Sequence, residues 1–184
     1  MTKFLLSLHV LAAILAVGPV SVAASMFPAA LRRAHGETGG GDAFATLRTL
    51  HRVCRVYAGV GVAVPVFGFA TASSLGVLGS AWLIAAMLLT AVAAGVLALL
   101  ILPAQDHALA EARATGSTAP TGFTAPTGDS APAGTTGEPA ASEASTASTA
   151  SAARKLAMLT GLFNLLWATV TVLMIIRPGS TTGV

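Results

Sequence analysis

Four long apolar stretches constrain this chain more than any other feature of its sequence. A helix needs about 20 mainly apolar residues to cross roughly 30 Å of hydrocarbon. The stretches run from Phe4 to Phe27, from Val53 to Ser73, from Ala81 to Leu102 and from Leu156 to Ile176. Only 9% of the residues are charged, which is far below the share in soluble domains. The sequence therefore predicts an all-α protein, a four-helix transmembrane bundle.

A segment rich in Ala, Thr, Ser, Gly and Pro separates the third and fourth stretches. Within it a six-residue unit, Ser/Thr-Ala-Pro-Thr/Ala-Gly followed by any residue, begins at Thr118, Thr124 and Ser130. Such a composition buries too little apolar surface to offset its ordering entropy, so we expect a disordered linker. A tether between helices is the favoured role, and a docking or regulatory segment is the alternative. The predicted units are residues 1–103 with helices one to three, 104–153 as linker, and 154–184 with helix four.

The positive charges are distributed unevenly around the four stretches. Lys3 and Arg177 flank the bundle on the side of the chain termini, and eight basic residues flank the other side. Because cytoplasmic loops carry an excess of Lys and Arg, we expect the cytoplasmic membrane, with both termini outside and the linker in the cytoplasm. Residues 1–24 also resemble a cleavable signal peptide, which would leave three spans. The eight basic residues are Arg32, Arg33, Arg48, Arg52, Arg55, Arg113, Arg154 and Lys155.

Small and polar residues indicate how the helices pack. Membrane helices associate through close backbone approach at small residues and through interhelical hydrogen bonds. A proline within a helix frees a backbone carbonyl and bends the helix, so we expect kinks at Pro65 in the second helix and at Pro19 in the first. On the fourth helix an amide and an indole are expected to face protein, where lining a substrate or cofactor cavity is the alternative role. The predicted packing residues are Gly61, Pro65, Gly68, Asn164 and Trp167.

A histidine lies inside the first apolar stretch, and an ionisable residue in a span is a candidate functional residue. His9 follows the start of the stretch by five residues, on the face that Ala13 and Ala16 share. Alternating helix directions bring the start of helix three and the end of helix four to its level, where Met87 and Met174 occur. Imidazole and thioether together bind haem iron or Cu(I). His9, Met87 and Met174 are therefore the candidate cofactor ligands, and a structural hydrogen bond is the alternative for His9.

A basic stripe opens the second helix. Arg48, Arg52 and Arg55 are spaced to share one helix face, which predicts anchoring to anionic lipid headgroups. Cys54 is the single cysteine, so it forms no internal disulfide. The basic residues have no interleaved aromatic residues, which argues against nucleic-acid binding. The expected partners are the lipid bilayer and further membrane subunits, either copies of this chain or another protein.

Several motifs resemble a known family. "FLLSLHVLAAILAVGP", "LRTLHRVCRVYAG", Trp82 at the start of helix three and "LLWATVTVLMIIRPG" resemble a bacterial family of predicted four-helix membrane proteins of unknown function. That family is distantly similar to the copper-resistance protein D group and to the HemJ-type protoporphyrinogen oxidases. The resemblance implies haem association at His9, with Arg52 or Arg55 matching the basic residues that open helix two, or alternatively copper handling. The chain lacks the intramembrane lysine and the acidic residue near the start of helix four, so oxidase activity is not implied.

Three functional hypotheses remain open from the sequence. The first is a haem- or metal-associated redox or transport function, with haem b or copper as the cofactor. The second is a non-catalytic scaffold or accessory subunit, and the third is a small oligomeric transporter. Motifs for soluble hydrolase or transferase chemistry are absent from the sequence, so these enzyme classes are not expected.

Overall fold

The computed structural model describes residues 1–36, 41–117 and 138–179. These residues build four helices long and apolar enough to cross a membrane, which confirms the predicted all-α bundle. The first helix is α1 (Thr2–Gly36), and the second consists of α2 (Gly41–Gly61) and α3 (Ala63–Leu75). The third consists of α4 (Ala81–Gly95), a π segment (Val96–Ile101) and α5 (Leu102–Ser117). The fourth is α6 (Glu138–Ile176).

The first helix organises the bundle. It packs along α2 and α3 on one side and along α6 on the other, while α4 packs against α6 and α5 against α2. Successive helices run in opposite directions, so the bundle has two distinct ends. We call the end where α1 begins and α6 finishes the terminus end. The opposite end, where α5 finishes and α6 begins, is the linker end.

The core consists of apolar layers stacked along the bundle. At the linker end, Phe27, Leu31 and Leu47 pack with residues of α5 and α6. A middle layer joins α1, the third helix and α6 through residues such as Val20 and Phe163. The layer at the terminus end contains Ala72, Trp82 and Leu83, against which Leu173 and Met174 pack. The start of α4 and the end of α6 therefore lie at one level, as the sequence predicts.

The second helix breaks where the kink is predicted. Helix α2 ends at Gly61, the Val62 N–H bonds the Gly59 carbonyl at 3.2 Å, and α3 begins at Ala63. Pro65 has no N–H to offer the carbonyl four residues earlier, so the regular hydrogen-bond ladder is interrupted at this point. By contrast, α1 remains one helix through both Pro19 and Pro28.

The third helix does not stop at Pro103, contrary to the boundary predicted from the sequence. Val96–Ile101 winds as a π-helix, and the Leu102 N–H reaches back to the Leu97 carbonyl. The bond from the Leu102 N–H spans five residues instead of four, so the hydrogen-bond register shifts by one residue just before Pro103 and the helix passes the proline without ending. The helix therefore continues to Ser117.

The helices also extend into both ends of the predicted linker. Residues 104–117 belong to α5 and residues 138–153 to α6. Alanine-rich sequence has high helix propensity, and Ala108 and Ala153 are buried in the linker-end layer. Packing therefore orders residues whose composition indicates disorder. Residues 118–137, with the repeated six-residue units, lie outside the described residues.

The turn between α3 and α4 is stabilised at both sides. Gly76 adopts a left-handed conformation, with φ of 69°, and its N–H bonds the carbonyls of Ala72 and Ser73. Glycine takes this conformation without the steric cost that other residues meet, which suits the C-terminal cap. Beside the turn, the Arg177 guanidinium lies 5.5 Å from the centroid of the Trp82 ring. This cation–π contact links the start of α4 to the end of α6.

Candidate functional site

His9 forms a hydrogen bond between the first and second helices. Its Nδ1 atom lies 2.9 Å from the backbone carbonyl oxygen of Val64, in a half-buried position. A carbonyl oxygen only accepts, so Nδ1 carries the proton in this contact. In the neutral ring, Nε2 then holds the lone pair. The candidate functional histidine is thus a donor that holds α1 against α3.

The imidazole of His9 lies directly on the backbone of Gly68. A Cβ atom at position 68 would come within 2.9 Å of Cε1 and 3.1 Å of Nδ1 of His9. The absence of a side chain at Gly68 is therefore what allows the ring to approach α3. Gly61 is different, since a Cβ there would lie 3.9 Å from the Ala16 Cβ, an ordinary van der Waals distance.

The two candidate methionine ligands lie on α4 and α6, whereas His9 contacts α3. Met87 is on the outside of α4 with 40% of its surface exposed. Met174 packs against the terminus-end layer of Ala72, Trp82 and Leu83. His9 instead contacts Val64 and Gly68. In the described part of the chain, no three His, Cys, Asp or Glu residues are grouped to hold a metal ion.

A small cavity lies among all four spans in the middle of the bundle. Its volume is about 160 Å³, and its walls include Val20, Tyr57, Thr90 and Trp167. That volume is comparable to engineered apolar cavities of roughly 150 Å³ that bind benzene.

Helix α6 contributes Phe163 and Trp167 to the wall of this cavity, and its polar residues Thr160 and Asn164 lie within one turn of them. The Thr160 hydroxyl lies 3.5 Å from the Ala24 carbonyl of α1, at the limit of a hydrogen bond. Trp167 packs edge-to-face on Phe163, with ring centroids 6.3 Å apart. Asn164 Oδ1 and Trp167 Nε1 are buried without hydrogen-bond partners in the described part of the chain. These two residues are three positions apart and share a helix face, which places an acceptor and a donor side by side.

The predicted lipid-anchoring residues share an exposed face of α2. Arg48, Arg52 and Arg55 are all exposed, whereas His51 between them is 8% exposed. The helix therefore presents the three arginines outward at the linker end and turns His51 toward α5. Phe44 lies one turn before this stripe. The Arg113 guanidinium lies 5.6 Å from the centroid of the Phe44 ring.

A buried polar cluster that the sequence analysis missed joins α2 to α5. His51 Nδ1 lies 3.2 Å from Gln105 Oε1. His51 Nε2 lies 3.0 Å from Asp106 Oδ1, within ion-pair distance but without the geometry of a hydrogen bond. The Gln105 amide also donates to the Cys54 thiol at 3.7 Å. Gln105 and Cys54 are completely buried, while the Asp106 side chain is 60% exposed. Cys54, taken from the sequence as a thiol without a partner, thus contacts Gln105.

The sequence contains a pattern that predicts this cluster, but only if the third helix continues past Pro103. Ile101, Gln105 and Ala108 recur at helical spacing and are buried, so they form one face of a continuous helix. A helix that stopped at Pro103 would leave Gln105 and Asp106 in a loop. Extending the helix past Pro103 is the single change that brings them to His51.

The contact between His9 and Gly68 leads to a first prediction. Gly68→Ala should destabilise the bundle by about 1–3 kcal/mol, because the new methyl group overlaps the imidazole. Thermal unfolding of the purified protein in detergent measures the effect. Gly61→Ala is the matched control and should leave stability unchanged or raise it by up to about 1 kcal/mol.

The cost of Gly68→Ala should disappear in a His9→Ala background, because the clashing ring is gone. A double-mutant cycle measures this coupling. If Gly68→Ala costs the same with and without His9, the imidazole does not lie on Gly68.

The α2–α5 cluster leads to a second prediction. Gln105→Leu should lower the unfolding free energy by about 1–3 kcal/mol, because it leaves a ring nitrogen of buried His51 without its partner. The measurement is again thermal unfolding in detergent. His107→Leu changes an exposed neighbour and should alter stability by less than about 0.5 kcal/mol. Equal effects of the two substitutions would contradict a buried cluster at Gln105.

The geometry therefore consists of polar contacts between helices at several levels. His9 joins α1 to α3 at the terminus end, Thr160 approaches the Ala24 carbonyl of α1, and His51 joins α2 to α5 toward the linker end. These contacts hold helix positions relative to one another.

No family model, curated protein or solved structure matches this chain.

Proposed function

We propose that this chain is a multi-pass protein of the cytoplasmic membrane, with both termini outside and the linker in the cytoplasm. The proposal is supported by the distribution of charge along four helices long and apolar enough to cross a membrane. Eight of the ten Lys and Arg residues flank the linker side, whereas Lys3 and Arg177 belong to the terminus end. An excess of positive charge marks the cytoplasmic side. The exposed residues Arg48, Arg52 and Arg55 are then placed to contact anionic headgroups of the inner leaflet.

Within that membrane the proposed role is a non-catalytic scaffold or accessory subunit. The observation that carries this proposal is the hydrogen bond from His9 Nδ1 to the Val64 carbonyl. This hydrogen bond gives His9, the ionisable residue of the first span, a structural role, because it joins α1 to α3. The second helix also offers surface to a partner, since only 11% of its most apolar stretch is buried, against 33% for the first helix. A further copy of this chain or another membrane subunit is the proposed partner.

Association with haem or copper is the second candidate function, and one specific observation favours it. With Nδ1 donating to Val64, Nε2 of His9 keeps the lone pair that a metal ligand needs. His9 fits as a single ligand, supplying an imidazole nitrogen to the metal. Met87 on α4 and Met174 on α6 remain the candidate sulfur ligands beside it.

One purification separates the two candidates and gives the third prediction. Wild type and His9→Ala are extracted from native membranes, and their complex size, absorption spectrum and metal content are measured. A scaffold predicts a complex larger than the single 18.3 kDa chain and a spectrum that is the same for both proteins. The control is Gly61→Ala, which leaves the His9 contact intact.

Two results would contradict the scaffold proposal. A Soret band or stoichiometric copper that disappears in His9→Ala would establish His9 as a ligand and favour the second candidate. A monomer in native membranes, with neither partner nor cofactor, would contradict both candidates.

Orientation is checked on the same membranes with a reporter fused to the C-terminus, which the proposal places outside.

A further inference from the structure

A second cavity, of about 360 Å³, lies between the third helix and α6 near the linker end. One end of its wall is apolar and includes Leu99, Leu100 and Leu159. The other end includes His107 and Lys155. From Leu100 to His107 the helix advances about 10 Å, at 1.5 Å per residue. The cavity therefore changes from apolar to polar along the bundle axis.

The π segment forms the apolar end of this cavity. Three consecutive residues, Ala98, Leu99 and Leu100, are exposed on it. Leu99 is 75% exposed and Leu100 is 47% exposed. Just beyond, the buried Gln105 turns toward α2 and bonds His51. The segment thus presents leucines outward while α5 is held on its other side.

The polar end carries both signs of charge. Lys155 is exposed on α6, and Glu111 of α5 lies in the same wall and has an interaction of its own. A phosphate beside Lys155 and an ammonium group beside Glu111 would match this arrangement. A zwitterionic phospholipid has such a headgroup next to an apolar chain.

We propose that this cavity is a phospholipid-binding site, with the lipid phosphate on Lys155 and an acyl chain along Leu99, Leu100 and Leu159. The inference rests on the membrane location proposed above, and it is independent of the scaffold role. Basic pockets between transmembrane helices on the cytoplasmic side are a known way of holding phosphate-bearing lipid headgroups. The position of the apolar end, farther into the bundle than Lys155, matches the orientation of a lipid in that leaflet.

The test is lipid retention, and it is the fourth prediction. Delipidated protein in detergent is titrated with phosphatidylethanolamine, and binding is counted by native mass spectrometry. Lys155→Ala should weaken binding about tenfold, since it removes a charge-assisted contact to the phosphate. Arg154→Ala is the matched control, because Arg154 is exposed next in sequence and is not part of the cavity wall. It should change binding less than twofold.

A second pair of variants tests the apolar end. Leu100→Trp should fill the cavity and reduce binding, whereas Leu88→Trp should not, because Leu88 is 64% exposed elsewhere on the bundle. Equal binding by diacylglycerol with the same chains would overturn the phosphate contact. Displacement by inorganic phosphate alone would identify a free-phosphate site instead. Equal retention by the Lys155 and Arg154 variants would also overturn the proposal, whatever the size of the native complex.

Discussion

Inside a bilayer no water satisfies the backbone, and this constraint explains the irregular features of the bundle. Each proline in the second and third helices removes one N–H donor. The chain accommodates Pro65 by breaking the helix at Val62, and Pro103 by winding Val96–Ile101 as a π-helix. Both irregularities determine where the nearby side chains point. The break belongs to the wall of the central cavity, and the π segment belongs to the wall of the cavity next to α6.

Several polar side chains act between helices, whereas hydroxyls such as those of Thr71, Thr90 and Thr171 bond a carbonyl one turn earlier on their own helix. His9 uses a carbonyl of α3, His51 contacts an amide of α5, and the Thr160 hydroxyl approaches a carbonyl of α1. In lipid, apolar contact alone gives little preference for protein over lipid tails, so such bonds and close packing decide which helices associate. Gly68 contributes to both effects, since its missing side chain lets the His9 ring reach the Val64 carbonyl. The first helix is thereby held to the second near the terminus end.

Hydropathy alone predicts the number and approximate positions of the spans, because length and apolar composition are nearly sufficient in a bilayer. A break near Pro65 is expected from its missing N–H, but α1 stays helical through Pro19 and Pro28, so a proline alone does not decide where a helix breaks. The continuation of the third helix past Pro103 is not predictable, because a π turn depends on how neighbouring helices hold both sides of the proline. Only a third helix that continues past Pro103 brings Gln105 to His51 and Cys54, so these partners are not recognisable when the helix is taken to end at Pro103. The contact between His9 and Gly68 is likewise tertiary, although both residues are identifiable as candidates from the sequence.

The most direct test of the account is the tautomer of His9 in the folded protein. Nitrogen-15 NMR of histidine-labelled protein in detergent reports which ring nitrogen is protonated, and His9→Ala assigns the signal among the four histidines. The hydrogen bond to the Val64 carbonyl predicts a proton on Nδ1. A neutral ring protonated on Nε2 would contradict the contact that holds the first helix against the second.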